Sequence, residues 1–127
     1  MTPAAPLITD TESARRLFAD LVEAREEVAE ALFLDPKWRL SARHRFLGNA
    51  DSVALSVRAL VGHGLSVDAR YVVLGHNHPS GDPEPSARDF VFTRRLADAL
   101  RLIDMPLADH IIVARGGTVS FRERGLL

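Results

Sequence analysis

The chain has no cysteine among its 127 residues, and Lys37 is its only lysine. Without thiols, disulfides, zinc fingers, iron–sulfur clusters and thiol catalysis are excluded together. Any metal must therefore be held by imidazoles and carboxylates. No apolar run is long enough to span a bilayer, since residues 71–74 and 111–114 are only strand-sized. The amino terminus lacks the basic n-region and apolar stretch of a signal peptide, so a soluble, cytoplasmic protein is expected. A large charge of either sign is also missing: 16 basic and 17 acidic side chains leave a net charge of −1. That balance disfavours a protein whose main task is gripping phosphate backbones. What the chain does have is a hydrophobic fraction of 46%, enough for one core in one domain of ordinary size.

Residues 1–10, with two prolines and several small side chains, read as a flexible leader, and residues 11–127 as the domain. Asp10 or Thr11 can cap a first helix carrying Leu17, Leu21 and Ala24 at helical spacing. From Glu27 the period changes. Val28, Leu32 and Leu34 alternate with Ala29, Ala31 and Phe33 up to a turn at Asp35-Pro36-Lys37, the pattern of a buried strand entering a hairpin. Residues 38–47 are the more polar return strand, nearer an edge. Gly48-Asn49 breaks it, and Asp51 or Ser52 is expected to cap a second helix through Val61 that Gly62-His63-Gly64 ends.

Residues 70–76 are rich in β-branched side chains and predict a central strand. Residues 79–85 contain three prolines and predict a stiff loop. A helix follows over 86–103, with Phe92, Leu96, Ala99 and Ile103 on one face. Residues 110–114 and 118–122 are two short strands joined at Gly116-Gly117. The order implies one α/β sandwich, a mixed sheet flanked by helices.

Chemistry concentrates at His76, His78, Ser86 and Asp89. Side chains two apart on a strand share a face, so the two imidazoles project together. A proline-stiffened loop then returns Asp89, one turn into the next helix, toward them. Two histidines, one carboxylate and an open position are the ligand set of hydrolytic zinc sites. Taken alone, Ser86-Ala87-Arg88-Asp89 is a plain helix cap, with Ser at the cap and an acid at the third helical position. The two roles are compatible.

His76-Asn77-His78-Pro79-Ser80-Gly81-Asp82-Pro83, followed by Ser86 and Asp89, resembles the His-x-His-x7-Ser-x2-Asp motif of the JAMM (MPN⁺) metalloproteases. Its wording is most similar to the RadC-like branch, once described as DNA repair factors. So are Thr93-Arg94-Arg95-Leu96, Asp109-His110-Ile111-Ile112-Val113, the ending Ser120-Phe121-Arg122-Glu123-Arg124-Gly125-Leu126-Leu127, and the hairpin Leu32-Phe33-Leu34-Asp35-Pro36-Lys37. The similarity runs from about Glu27 to Leu127. It implies a single MPN domain, a mixed sheet of the cytidine deaminase-like kind. It also implies Zn²⁺ on His76, His78 and Asp89, with Ser86 donating to the tetrahedral intermediate.

The family further requires a glutamate base from the first strand. Counting back from Leu32-Phe33-Leu34-Asp35 selects Glu27, with Glu26 and Glu30 as alternatives. The implied reaction is cleavage of an amide or isopeptide bond, with a peptide or isopeptide-linked protein as substrate. The alternative is a nucleic-acid or protein-interaction module whose metal site is not a peptidase, for which Arg88, Arg94, Arg95 and Arg101 are the candidate contacts. Members of this branch usually carry an amino-terminal helix-hairpin-helix region, which the sequence before Glu27 is expected to lack. His110, in a buried strand, reads first as a satisfied core histidine and second as a neighbour of the ligands. His44 and His63 read as surface residues. Specificity is expected from loops around Gly48 to Asp51 and Ser80 to Glu84.

Overall fold

A computed structural model describes residues 5–47 and 55–127. β1 (Val28–Leu34) is apolar at nearly every position and buried at all of them, as expected for a strand covered on both faces. It pairs antiparallel with β2 (Leu40–Leu47) on one side and β3 (Tyr71–Asn77) on the other. β4 (Leu107–Ala114) runs parallel to β3, and β5 (Gly117–Ser120) returns antiparallel to β4. Among the described residues the mixed sheet has five strands in the order β2-β1-β3-β4-β5, with three α-helices against it. It is a single α/β domain of MPN type.

Strand alternation divides the core into two layers. Ala29, Ala31, Phe33, Val72 and Leu74 face α2 (Val57–Ser66) and α3 (Ala87–Leu102), meeting Leu60, Leu96, Leu100 and Met105. Val28, Leu32, Leu34, Val73, Ile111 and Val113 face α1 (Thr11–Leu17) and the 3-10 turn Ala19–Glu23, meeting Ala14, Phe18 and Leu21. No helix among the described residues is long and apolar enough to cross a membrane.

Several expectations are corrected. The first helix ends at Leu17 and continues as the 3-10 turn; the break places Phe18 fully inside the core. Residues 5–8, expected within a flexible leader, lie against the hairpin turn. The Ile8 amide donates to Trp38 O at 2.8 Å, the Leu40 amide donates to Pro6 O at 2.9 Å, and Ile8 is buried. The second helix starts from the Ser56 cap and runs through Gly62 and Gly64 instead of stopping there. A Cβ at Gly64 would lie 2.6 Å from Met105 Cε, so this glycine lets the helix pack closely and is not a terminator. The break at Gly48-Asn49 and the caps proposed at Asp51 or Ser52 lie outside the described residues. On α3 the buried stripe is Thr93, Leu96 and Leu100, while Ile103 is the exposed C-cap. The helix is therefore rotated relative to the apolar pattern, which puts a hydroxyl in the core.

Gly75 lies on β3 immediately before His76. A Cβ there would stand 2.6 Å from three ring atoms of Phe18, which has no room to move. Gly75→Ala is expected to destabilise the domain by about 1–3 kcal/mol through overpacking. Urea denaturation of the variant beside wild type measures this.

Candidate metal centre

β3 delivers His76 at the carboxyl end of the sheet, on the face that looks toward α3. His78 follows two residues later on the same side. The His78 amide donates to Val113 O at 3.1 Å, so the chain stays beside β4 just beyond the strand. The loop then turns at Gly81, whose carbonyl accepts from the Gly116 amide at 2.8 Å. Arg124 holds Glu84 through two contacts of 2.6 and 2.7 Å. This anchored loop leads into α3, where Ser86 and Asp89 cap each other. Ser86 Oγ accepts from the Asp89 amide at 3.1 Å, and Asp89 Oδ2 accepts from the Ser86 amide at 2.8 Å.

The cap and the histidines meet. His76 Nε2 and His78 Nε2 are 3.0 Å apart, Asp89 Oδ2 is 3.1 Å from His78 Nε2, and Asp89 Oδ1 is 3.3 Å from His76 Nε2. Glu27 approaches from the start of β1, its Oε1 3.8 Å from His78 Nε2 and 3.9 Å from His76 Nε2. Glu27, His76 and His78 thus form a group whose donor atoms lie within 4.8 Å of one another, and Asp89 contacts both of its imidazoles.

The protonation pattern follows from the partners. His78 Nδ1 is 2.8 Å from the Asp82 carbonyl, which can only accept, so Nδ1 carries a proton, and in the neutral ring Nε2 is then a lone pair. His76 Nδ1 faces His110 Nε2 at 2.7 Å, and His110 Nδ1 faces Thr93 Oγ1 at 2.6 Å. If the Thr93 oxygen accepts and His110 relays, His76 also presents a lone pair at Nε2. With both imidazoles neutral, acceptors then converge. One proton on His76 Nε2 would still leave the Asp89–His78 contact as acceptor against acceptor. A cation satisfies all three contacts, and the donor set of two imidazoles and carboxylates suits a divalent transition metal such as zinc.

Burial works to raise the Asp89 pKa. Where His76 carries a proton at Nε2 in place of a shared cation, its hydrogen bond and charge, together with Ser86, outweigh burial and hold the carboxyl well below the usual carboxylate range. The amino terminus of α3 favours the same anion. His110 is held well below the usual histidine range, chiefly by burial and secondly by His76. It stays neutral, which suits a relay between Thr93 and His76. Both readings of His110 apply at once: it is a satisfied core histidine and it touches a candidate ligand.

The alternative glutamates lie elsewhere. Glu30 points to the opposite face of β1, where it is buried against Arg43 and Arg45, with Arg45 Nε at 3.1 Å. Arg45 also reaches Asp20 at 2.8 Å. A carboxylate so paired is taken up by holding β2 to the 3-10 turn. Glu26 is exposed, and its backbone carbonyl is what the structure uses. His44 and His63, expected at the surface, are half-buried and stack on each other with centroids 3.7 Å apart, outside the group that His76 and His78 form with Glu27.

Two residues were missed by sequence reasoning. Asn77, 1% exposed, accepts from the Val28 amide at 2.6 Å and donates to Glu26 O at 3.0 Å and Ala24 O at 3.3 Å. It grips the chain on both sides of Glu27 and so fixes where that carboxylate stands. A fully buried asparagine must satisfy both ends of its amide, and that requirement was the available signal. Thr93 was the other, a hydroxyl in the apolar stripe of α3.

A family model described as a RadC-like JAB domain matches residues 8–126. The chain belongs to the RadC-like JAB domain family. This RadC-like chain is 43% identical over 122 residues to a UPF0758 protein of Xanthomonas euvesicatoria pv. vesicatoria, covering 94% of the chain and 54% of the relative. A UPF0758 protein of Nitrosococcus oceani is also 43% identical, over 123 residues, covering 95% of the chain and 55% of the relative. The RadC-like domain therefore spans about half the length of the curated relatives it matches.

Asn77→Ala removes three buried hydrogen bonds at once, and it is expected to destabilise the domain by about 1–3 kcal/mol or more. Asn77→Asp keeps the acceptor for Val28 but sets a carboxylate against two carbonyls, and should do no better. Chemical denaturation ranks the variants. Wild-type stability in either would remove the clamp from the account.

Proposed function

We propose that this RadC-like domain is a zinc-dependent hydrolase of JAMM type that cleaves an amide or isopeptide bond with water. The observation that carries the reading is the convergence of His76 Nε2, His78 Nε2 and Asp89 within 3.3 Å of one another, with Glu27 half an ångström or so farther out. His76, His78 and Asp89 would hold the metal. Bound zinc supplies Lewis acidity toward the substrate carbonyl and brings the pKa of its water toward neutrality.

The protein's own groups do the rest. Glu27, too distant from either imidazole for a direct hydrogen bond, has the spacing that a water between them would bridge. It takes the water proton as the oxygen attacks the carbonyl carbon, then passes it to the amine as the C–N bond breaks. The products are an acid and an amine. Ser86 Oγ accepts the Asp89 amide, so its own O–H is free to donate to the oxygen on which negative charge develops. His110 and Thr93 keep His76 in the tautomer that presents Nε2, the role outer partners play at metal sites. The proposed substrate is a peptide or an isopeptide-linked protein. Nucleic acid is disfavoured by the net charge of −1 and by the pairing of Arg101 with Asp98.

Purified protein is expected to hold about one zinc per chain by elemental analysis, and His78→Ala to lose it. Stoichiometric zinc in that variant would remove the site assignment. Glu27→Gln should keep zinc while amide hydrolysis falls by roughly 10²–10⁴-fold, and Ser86→Ala should keep zinc with a loss of about 10²-fold or more. Unchanged turnover in Glu27→Gln would move the base to another residue. His110→Phe, which preserves the stack on Phe121, is expected to weaken zinc binding about 10–100-fold in a chelator competition.

A further inference from the structure

A cavity of about 380 Å³ opens directly from the candidate metal centre and runs along α3. Glu27, His76 and Asp89 form its polar end. Ala29, Leu55, Leu74, Val91 and Phe92 make the walls apolar. Two arginines line the cavity: Arg88, next to Asp89 and engaged in an interaction of its own, and Arg95, farther along α3, an exposed arginine that makes no ion pair or hydrogen bond among the described residues, in contrast to Arg101, Arg124, Arg43 and Arg45. The size is that of a site for one small ligand or a few substrate atoms, and the lining has the usual form of an apolar slot with few polar groups.

The dimensions narrow the occupant. Arg95 lies six positions beyond Asp89 on a regular helix, a rise of about 9 Å, and an extended residue spans about 3.3–3.6 Å. One or two residues therefore fit between a bond cleaved at the histidines and a group held by Arg95. An apolar wall calls for an apolar side chain, and a planar guanidinium at the rim calls for a carboxylate. Glu27 lines the same cavity, so it is the leaving-amine side of the substrate that lies here.

We propose, resting on the hydrolase reading above, that the cavity binds the carboxyl-terminal side of a peptide substrate. The leaving portion is one or two residues long, carries a large apolar side chain, and ends in a free carboxylate held by Arg95. Its cleavage consumes one water and releases an apolar amino acid or dipeptide.

Two measurements on the full chain keep this proposal separable from the hydrolase reading. In the first, N-acetyl-leucine, N-acetyl-leucinamide and N-acetyl-glycine are titrated into ¹⁵N-labelled protein, with and without zinc. N-acetyl-leucine should shift the Arg95 side-chain and Phe92 amide signals and bind about tenfold or more tightly than the other two. Arg95→Gln should abolish that preference and Arg101→Gln should retain it. Equal binding of the three compounds, or shifts confined to other faces, would overturn the cavity assignment whether or not any amide is cleaved. In the second, zinc-loaded protein is given acyl-Ala-Leu peptides ending in the acid or the amide. The acid should be preferred about tenfold, expressed in KM. Cleavage of both at one rate overturns the proposal alone, whereas cleavage of neither overturns the hydrolase reading and leaves the binding titration to decide the cavity.

Discussion

Two imidazole nitrogens and a carboxylate crowded together at the carboxyl end of β3 impose the constraint around which the domain is arranged. Two imidazole nitrogens 3.0 Å apart beside a carboxylate at 3.1 Å are tolerable only with a cation or extra protons among them. Everything nearby holds that geometry in place. β3 is buried by helices on both faces, so His76 cannot swing away. Asp82 O fixes the His78 tautomer, and the reciprocal cap between Ser86 and Asp89 fixes the carboxylate. A capped helix amino terminus and a candidate ligand are thus the same residue, which lets an ordinary folding device serve a site at no further conformational cost.

The opposite side of the site depends on Asn77. Its neighbours His76 and His78 point into the centre, while it points away, into the segment that enters β1. One dipeptide step on β3 therefore sets both the imidazoles and the glutamate facing them. This links the strand pairing of β1 with β3 to the position of Glu27, so the register of a buried strand pair carries through to the spacing between the acid and the histidines.

Much of this was legible in the sequence. Strict alternation in β1 gave its burial and assigned Glu27, Ala29, Ala31 and Phe33 to one face, and the turn residues at 35–37 gave the hairpin. The histidine pair, the proline loop and the Ser86/Asp89 cap gave the candidate site. What was not legible depends on packing between distant segments. Gly62 and Gly64 read as a helix end because glycine ends helices locally, yet Gly64 serves a close approach to Met105. Glu30 looked like a possible base until β2 supplied Arg43 and Arg45 to hold it on the far face. Thr93 and Asn77 were hidden because each acts across the fold, through His110 in one case and through residues 24–28 in the other. The apolar cavity beside the histidines is of the same kind, since its walls come from β1, β3, α3 and Leu55.

The most direct test is where a metal goes. A crystal of protein purified without chelator, measured on both sides of the zinc absorption edge, should show one anomalous peak per chain, in contact with His76 Nε2, His78 Nε2 and Asp89. Absence of any peak there from protein supplied with zinc, or a peak seated instead on the stacked His44 and His63, would contradict the account.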